Sequence, residues 1–141
     1  MKQEMQRLRI ESSAGGEMIR AEVKARMTLS EGKARWMYAQ TIVEGEAPVA
    51  ETLEVALEPD GRVREAGMKR VGGFTLRFAE GQAWSSEMAT PAGRLSVTIR
   101  TESIDGYVKD SLVDLTISYR LFLGGEENGR TTIRYTSEPF H

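Results

Sequence analysis

Apolar and polar residues alternate along most of this chain with a period of two. Ile19, Ala21, Val23, Ala25, Met27 and Leu29 are apolar, and Arg20, Glu22, Lys24, Arg26 and Thr28 stand between them. Successive side chains of a β-strand point to opposite faces, so such a segment has one buried and one wet face. The same reading applies to Val113, Leu115, Ile117, Tyr119, Leu121 and Leu123, to Leu95, Val97 and Ile99, and to Ile133 and Tyr135. No segment offers the 3.6-residue periodicity of an amphipathic helix. The fold class expected is all-β.

Turn-forming residues punctuate these runs. Ser30-Glu31-Gly32-Lys33 precedes a strand from Ala34 to Val43, and Glu44-Gly45-Glu46-Ala47-Pro48 ends it. Pro59-Asp60-Gly61 joins a strand at Val49–Glu58 to one at Arg62–Arg70. Gly72-Gly73, Glu80-Gly81 and Thr90-Pro91-Ala92-Gly93 follow, and Gly124 to Gly129 link the last two strands. Each connection is shorter than the dozen residues a parallel crossover needs, so the sheet is expected to be an antiparallel meander. Ser103 to Ser111, with Asp105-Gly106 at its centre, breaks the alternation and reads as a loop with room for one helical turn. About ten long strand segments would leave long exposed edges in an open sheet, and closure removes them. The expectation is a single β-barrel domain, residues 1–141, of about eight to ten strands, with a β-sandwich as the alternative.

Composition removes several function classes. The chain has no cysteine, and its one histidine is the last residue, His141. Thiolate nucleophiles and cysteine metal sites are therefore excluded, and a Ser-His-Asp triad and two-histidine metal sites nearly so. A terminal base is poorly held, so removing Pro139 to His141 is expected to leave fold and binding intact. The formal net charge of −2 argues against a general nucleic-acid or membrane-surface partner. Arg62, Arg64, Lys69 and Arg70 form a small basic cluster that lacks the interleaved aromatics of a nucleic-acid surface. No apolar run approaches a membrane span or a signal peptide. A cytoplasmic, non-enzymatic protein without cofactor is expected.

Several short pieces, taken in order, resemble one family. They are Trp36-Met37-Tyr38 after a Gly-Lys turn, Arg70-Val71-Gly72, Phe78-Ala79-Glu80-Gly81, Thr90-Pro91-Ala92-Gly93-Arg94-Leu95, Thr101, and Ile117-Ser118-Tyr119-Arg120-Leu121 before a glycine-rich hairpin. Their order and spacing resemble the YwiB-like family of small bacterial proteins, a domain of unknown function. The resemblance covers nearly the whole chain. It implies a calycin-type, lipocalin-like barrel and no activity. Ala39-Gln40-Thr41 departs from the family, whose members tend to carry acidic residues there, and the lipocalin Gly-x-Trp signature is absent from the first strand.

Polar residues on apolar strand faces are the candidate site. Gln40 shares its face with Ala34, Trp36, Tyr38 and Ile42, and Glu51 shares its face with Val49, Leu53, Val55 and Leu57. Trp84 is in phase with Gln82, Ser86 and Met88, and Tyr119 lies in the apolar row of its strand. With Arg70, able to hold a carboxylate, these residues would line a barrel interior suited to a small apolar or amphipathic molecule. A structural reading stands beside this one: Trp36, Tyr38 and Tyr119 are core aromatics, Glu51 lies near a strand end or pairs with an arginine, Gln40 reaches the barrel mouth, and Arg70 belongs to an internal ion pair. The function expected is a non-catalytic binding module. The alternative is a structural or interaction protein with a filled barrel, acting as a homodimer through outer-face residues such as Phe122 and Met37.

Overall fold

A computed structural model describes residues 1–41, 44–73 and 75–140. The expectations placed on Ile42, Val43 and His141 lie outside the described residues. Ten strands account for the fold: β1 (Lys2–Ala14), β2 (Glu17–Ser30), β3 (Lys33–Gln40), β4 (Val49–Leu57), β5 (Val63–Arg70), β6 (Thr75–Phe78), β7 (Ala83–Thr90), β8 (Gly93–Lys109), β9 (Leu112–Leu123) and β10 (Glu126–Pro139). Among the described residues there is no helix, and so none long and apolar enough to cross a membrane.

All pairings are antiparallel, and the ladder runs β6-β5-β4-β3-β2-β1-β10-β9-β8-β7. Apart from β6 and β7, every strand therefore pairs with its sequence neighbours, and β1 closes onto β10. The sheet curls into a nearly closed barrel, as the strand count implied. Among the described residues the ladder is open only between β6 and β7. That seam has its own fastenings. Only Gly93–Arg100 of β8 pairs with β7. The rest of β8 is tied to the β6–β7 link, where the Gly81 amide donates to the Thr101 carbonyl (2.9 Å) and the Thr101 amide to the Gln82 carbonyl (3.0 Å). Farther along, the Val108 amide donates to the Gly61 carbonyl at 2.8 Å, and Arg62 bridges Tyr107. The approach at Gly61 is so close that a Cβ there would stand 2.6 Å from the Val108 carbonyl oxygen, at a φ of +92° that L side chains rarely adopt.

The inward row of each strand builds the core. Leu8, Met27, Trp36, Leu53, Ile99, Leu115 and Ile117 are fully buried, and Phe78 packs on Tyr119 with ring centroids 5.2 Å apart. Each such aliphatic side chain removed from water contributes about 1.5–3 kcal/mol.

Two loop expectations are corrected. Ser103 to Ser111 is mostly strand: β8 continues to Lys109, and Asp110-Ser111 makes a tight turn at φ 52° and 69°. The alternation breaks because a bulge lies between Thr101 and Ser103. One extra residue reverses the faces, so Val97, Ile99 and Thr101 are buried before it and Gly106 and Val108 after it. Likewise the Gly124–Gly129 link is only the Gly124-Gly125 turn. β10 resumes at Glu126, with a bulge between Glu127 and Arg130 absorbing the surplus residues.

Candidate functional site

The inner face of β3, β4 and β5 carries one polar rung. Tyr38 pairs in register with Glu51, and Glu51 with Arg70. The rung sits where β3 and β5 end and β4 begins. One Glu51 oxygen accepts Nε and Nη2 of Arg70, each at 2.6 Å, and the other accepts the Gln40 amide at 2.6 Å. The Glu51 side chain is 2% exposed and that of Arg70 24%, so the pair reaches from the core toward solvent. A buried carboxylate needs such partners to remain in an apolar interior.

Tyr38 and Tyr135 lie near enough to this pair to feel its charges, and Tyr119 neighbours Tyr135. Burial, the nearby charge of Glu51 and, for Tyr38, its proximity to Tyr135 push the phenols of Tyr38 and Tyr135 far above the ordinary tyrosine range. Burial also raises Tyr119. The Tyr38 hydroxyl is buried and makes no hydrogen bond of full geometry, and the Thr101 hydroxyl is likewise unpartnered.

A second polar cluster lies at the opposite end of the barrel. Gln6 is fully buried. Its Oε1 accepts the Trp36 indole N–H at 2.9 Å, while its amide donates to the Ser111 carbonyl at 2.7 Å and to Glu4 at 2.8 Å. Lys2 donates to the Ser111 hydroxyl at 2.8 Å. Trp36 is thus a core residue whose polar tip is satisfied internally, and Gln6 pins the Asp110-Ser111 turn across the barrel end.

The seam opens a different space. A groove of about 670 Å³ crosses the outer side of β3 to β6 and reaches Trp84 on β7. Its floor is low because small side chains occupy the middle of the row, where Ala56, Gly67 and Thr52 stand between longer neighbours. Lys33, Arg35, Lys69 and Arg77 contribute four cations to its lining, against the two carboxylates of Glu54 and Glu65. Lys33 and Arg35 share Glu54, at 4.0 and 3.5 Å. Lys69 has no ion-pair partner among the described residues. Arg77 lies over the Trp84 ring, 5.3 Å from its centroid, and the indole N–H donates to the Thr75 carbonyl at 3.1 Å.

The candidate residues therefore divide. Trp36, Tyr38, Gln40, Glu51, Arg70 and Tyr119 face the interior, where Gln40, Glu51 and Arg70 bond to one another. Trp84 alone lines the groove. Tyr135 and Gln6 were not singled out by sequence: Tyr135 reads as an ordinary alternating apolar residue, and Gln6 lies in a charged segment without an apolar row. Arg77 and Lys69 become neighbours of Trp84 only through the curl of the sheet. No cluster of three metal-ligating side chains occurs among the described residues.

Comparison with curated proteins found no match. Among solved structures, the crystal structure of the ywiB protein from Bacillus subtilis is similar, with a TM-score of 0.72 at 19% identity over 96% of this chain and 93% of that one. A likeness at that identity shows a shared fold. The family described as a domain of unknown function (DUF1934) matches residues 4–134. A match over nearly the whole barrel, with a fold shared with ywiB, means that this chain belongs to that family.

Proposed function

We propose that this domain is a non-catalytic binding module for a small amphipathic anion, held in the groove beside the β6–β7 seam. The observation that carries this reading is the groove's charge. Four cations face two carboxylates around about 670 Å³, a volume in the range of small-molecule sites. Trp84, held by Thr75 and Arg77, supplies a fixed aromatic wall for the apolar part, and Lys69 and Arg77 supply charge that no carboxylate among the described residues neutralises.

The test uses anilinonaphthalene sulfonate, a fluorescent amphipathic anion, and its uncharged analogue phenylnaphthylamine. The anion should bind with energy transfer from Trp84, more weakly as salt rises, and the uncharged dye should bind less well. Lys69→Glu with Arg77→Glu should weaken the anion about tenfold while the circular dichroism of the fold is retained. Equal binding of both dyes, unaltered by the double substitution, would defeat the reading.

A second reading, a ligand inside the barrel, is favoured by the Tyr38 hydroxyl, buried beside Glu51 without a hydrogen bond of full geometry, which a ligand polar group could complete. Tyr38→Phe separates the two readings. It leaves a groove ligand unaffected and weakens one that reaches the interior rung.

A further inference from the structure

β2 pairs with β1 from Glu17 to Leu29 without a register shift, but β3 covers its other edge only from Arg26 to Ser30. Among the described residues, the β2 edge from Glu17 to Ala25 pairs with no strand. Such an edge presents a row of unused backbone donors and acceptors and is a template for another strand. This stretch has no proline and no bulge to blunt it. It also leaves Met18 and Ile19 55% and 69% exposed.

The sequence of this edge is complementary to itself. In an antiparallel pairing with a second copy centred on Ala21, Arg20 stands opposite Glu22 on both sides of the axis, and Ile19 stands opposite Val23. Arg20 is already within 3.3 Å of Glu11, and Glu22 within 2.7 Å of Arg9. The charges across the outer face of four strands would then read Glu11, Arg20, Glu22, Arg9, alternating in sign. Opposite charges directly across a strand pair stabilise it and like charges weaken it. Other registers do worse: centring on Val23 sets Glu22 against Lys24 but Arg20 against Arg26, where β3 already covers the edge. Centring on Glu22 puts Glu22 against Glu22 and Arg20 against Lys24, and centring on Arg20 puts Arg20 against itself. A shift by one residue turns the apolar row of one copy toward the wet face of the other.

We infer that the protein forms a two-fold dimer by antiparallel pairing of β2 with β2 about Ala21, continuing each sheet into the next. The surface is independent of the groove and of what fills it. Sedimentation equilibrium of the full chain should show a dimer. Arg20→Glu and Glu22→Arg, made separately, each place like charges across the axis and should weaken dimerisation about tenfold. Mixing the two variants restores opposite charges at both positions and should restore a dimer, which a general loss of stability could not do. The chain has no cysteine, so Ala21→Cys puts a lone thiol on the axis, within disulfide reach of its copy. Oxidation should crosslink Ala21→Cys and not Met18→Cys. A monomeric wild type at every accessible concentration, or variants that dimerise as the wild type does and gain nothing on mixing, would overturn the inference.

Discussion

Arg70→Met removes the cation from a carboxylate that is almost wholly enclosed. Glu51 keeps its bond to Gln40 but loses both contacts to the guanidinium. Breaking a fully buried ion pair by deleting one partner costs about 3–5 kcal/mol. The Arg70 side chain is 24% exposed, so water screens part of the interaction and a loss of about 2–3 kcal/mol is expected. For a domain of this size that is a fall of about 8 °C in Tm. Adding Glu51→Leu removes the stranded charge and should bring stability back to within about 1 kcal/mol of the parent. Urea unfolding at constant m-value reads both changes. A single variant that loses less than about 1 kcal/mol would show that the pair is not desolvated, and a double variant weaker than the single would show that the charge is not what the interior resists.

Other substitutions test other parts of the fold. Gln6→Leu fills the same space but leaves the Trp36 N–H and the Ser111 carbonyl buried without partners, and should cost about 2–4 kcal/mol in urea unfolding followed by Trp36 emission. Gly106→Ala brings a methyl within 2.5 Å of the Asp114 carbonyl oxygen and 2.6 Å of the Leu115 Cα, both backbone atoms, so β8 and β9 must part and a loss above about 2 kcal/mol is expected by thermal unfolding. Tyr38, Tyr119 and Tyr135 hold their protons more tightly in the fold than in the unfolded chain. The native state therefore binds more protons above the ordinary tyrosine pKa of about 10, and stability should fall as pH rises through and beyond that value. Phenolate absorbance of these three should appear only together with loss of the near-ultraviolet circular dichroism. Ionisation that leaves that signal intact would contradict their burial.

Much of the barrel was legible because strands buried on one face must alternate, and turns with positive φ favour glycine. Ile117, Tyr119 and Leu115 declare their inward face without help. The pattern failed at Thr101–Ser103, where one unpaired residue inverts the faces. A period-two reading cannot distinguish that inversion from a loop. Glu51 was legible as a carboxylate that needs an arginine or a strand end, and Arg70 as half of an internal pair, but that they pair with each other follows only from the register of β4 with β5. Gln6 was not, since nothing in Lys2 to Arg7 marks an inward row, and burial there follows from β10 covering β1. The groove was the least legible part. It depends on the small side chains of Ala56 and Gly67 meeting the reach of Arg77 and Trp84 from separate strands, a coincidence of curvature that no local window contains.

The order of strands around the barrel bears on how the chain folds. Nearly every pairing is a hairpin between consecutive segments, which needs only a short loop to close. The exception is β1 with β10, where Gln6 meets Pro139 and the whole intervening chain must be gathered first. Entropy makes that the slow step, because rates fall as contacts become more distant in sequence. The β6–β7 link, by contrast, joins strands that share no ladder. A circular permutant opened at Ala79–Gln82, with β10 joined to β1 by a short linker, would turn its only distant ladder into a local one. It would also free the chain where the ladder of the described residues is already interrupted. Such a molecule should fold faster than the natural chain while keeping the same set of paired strands.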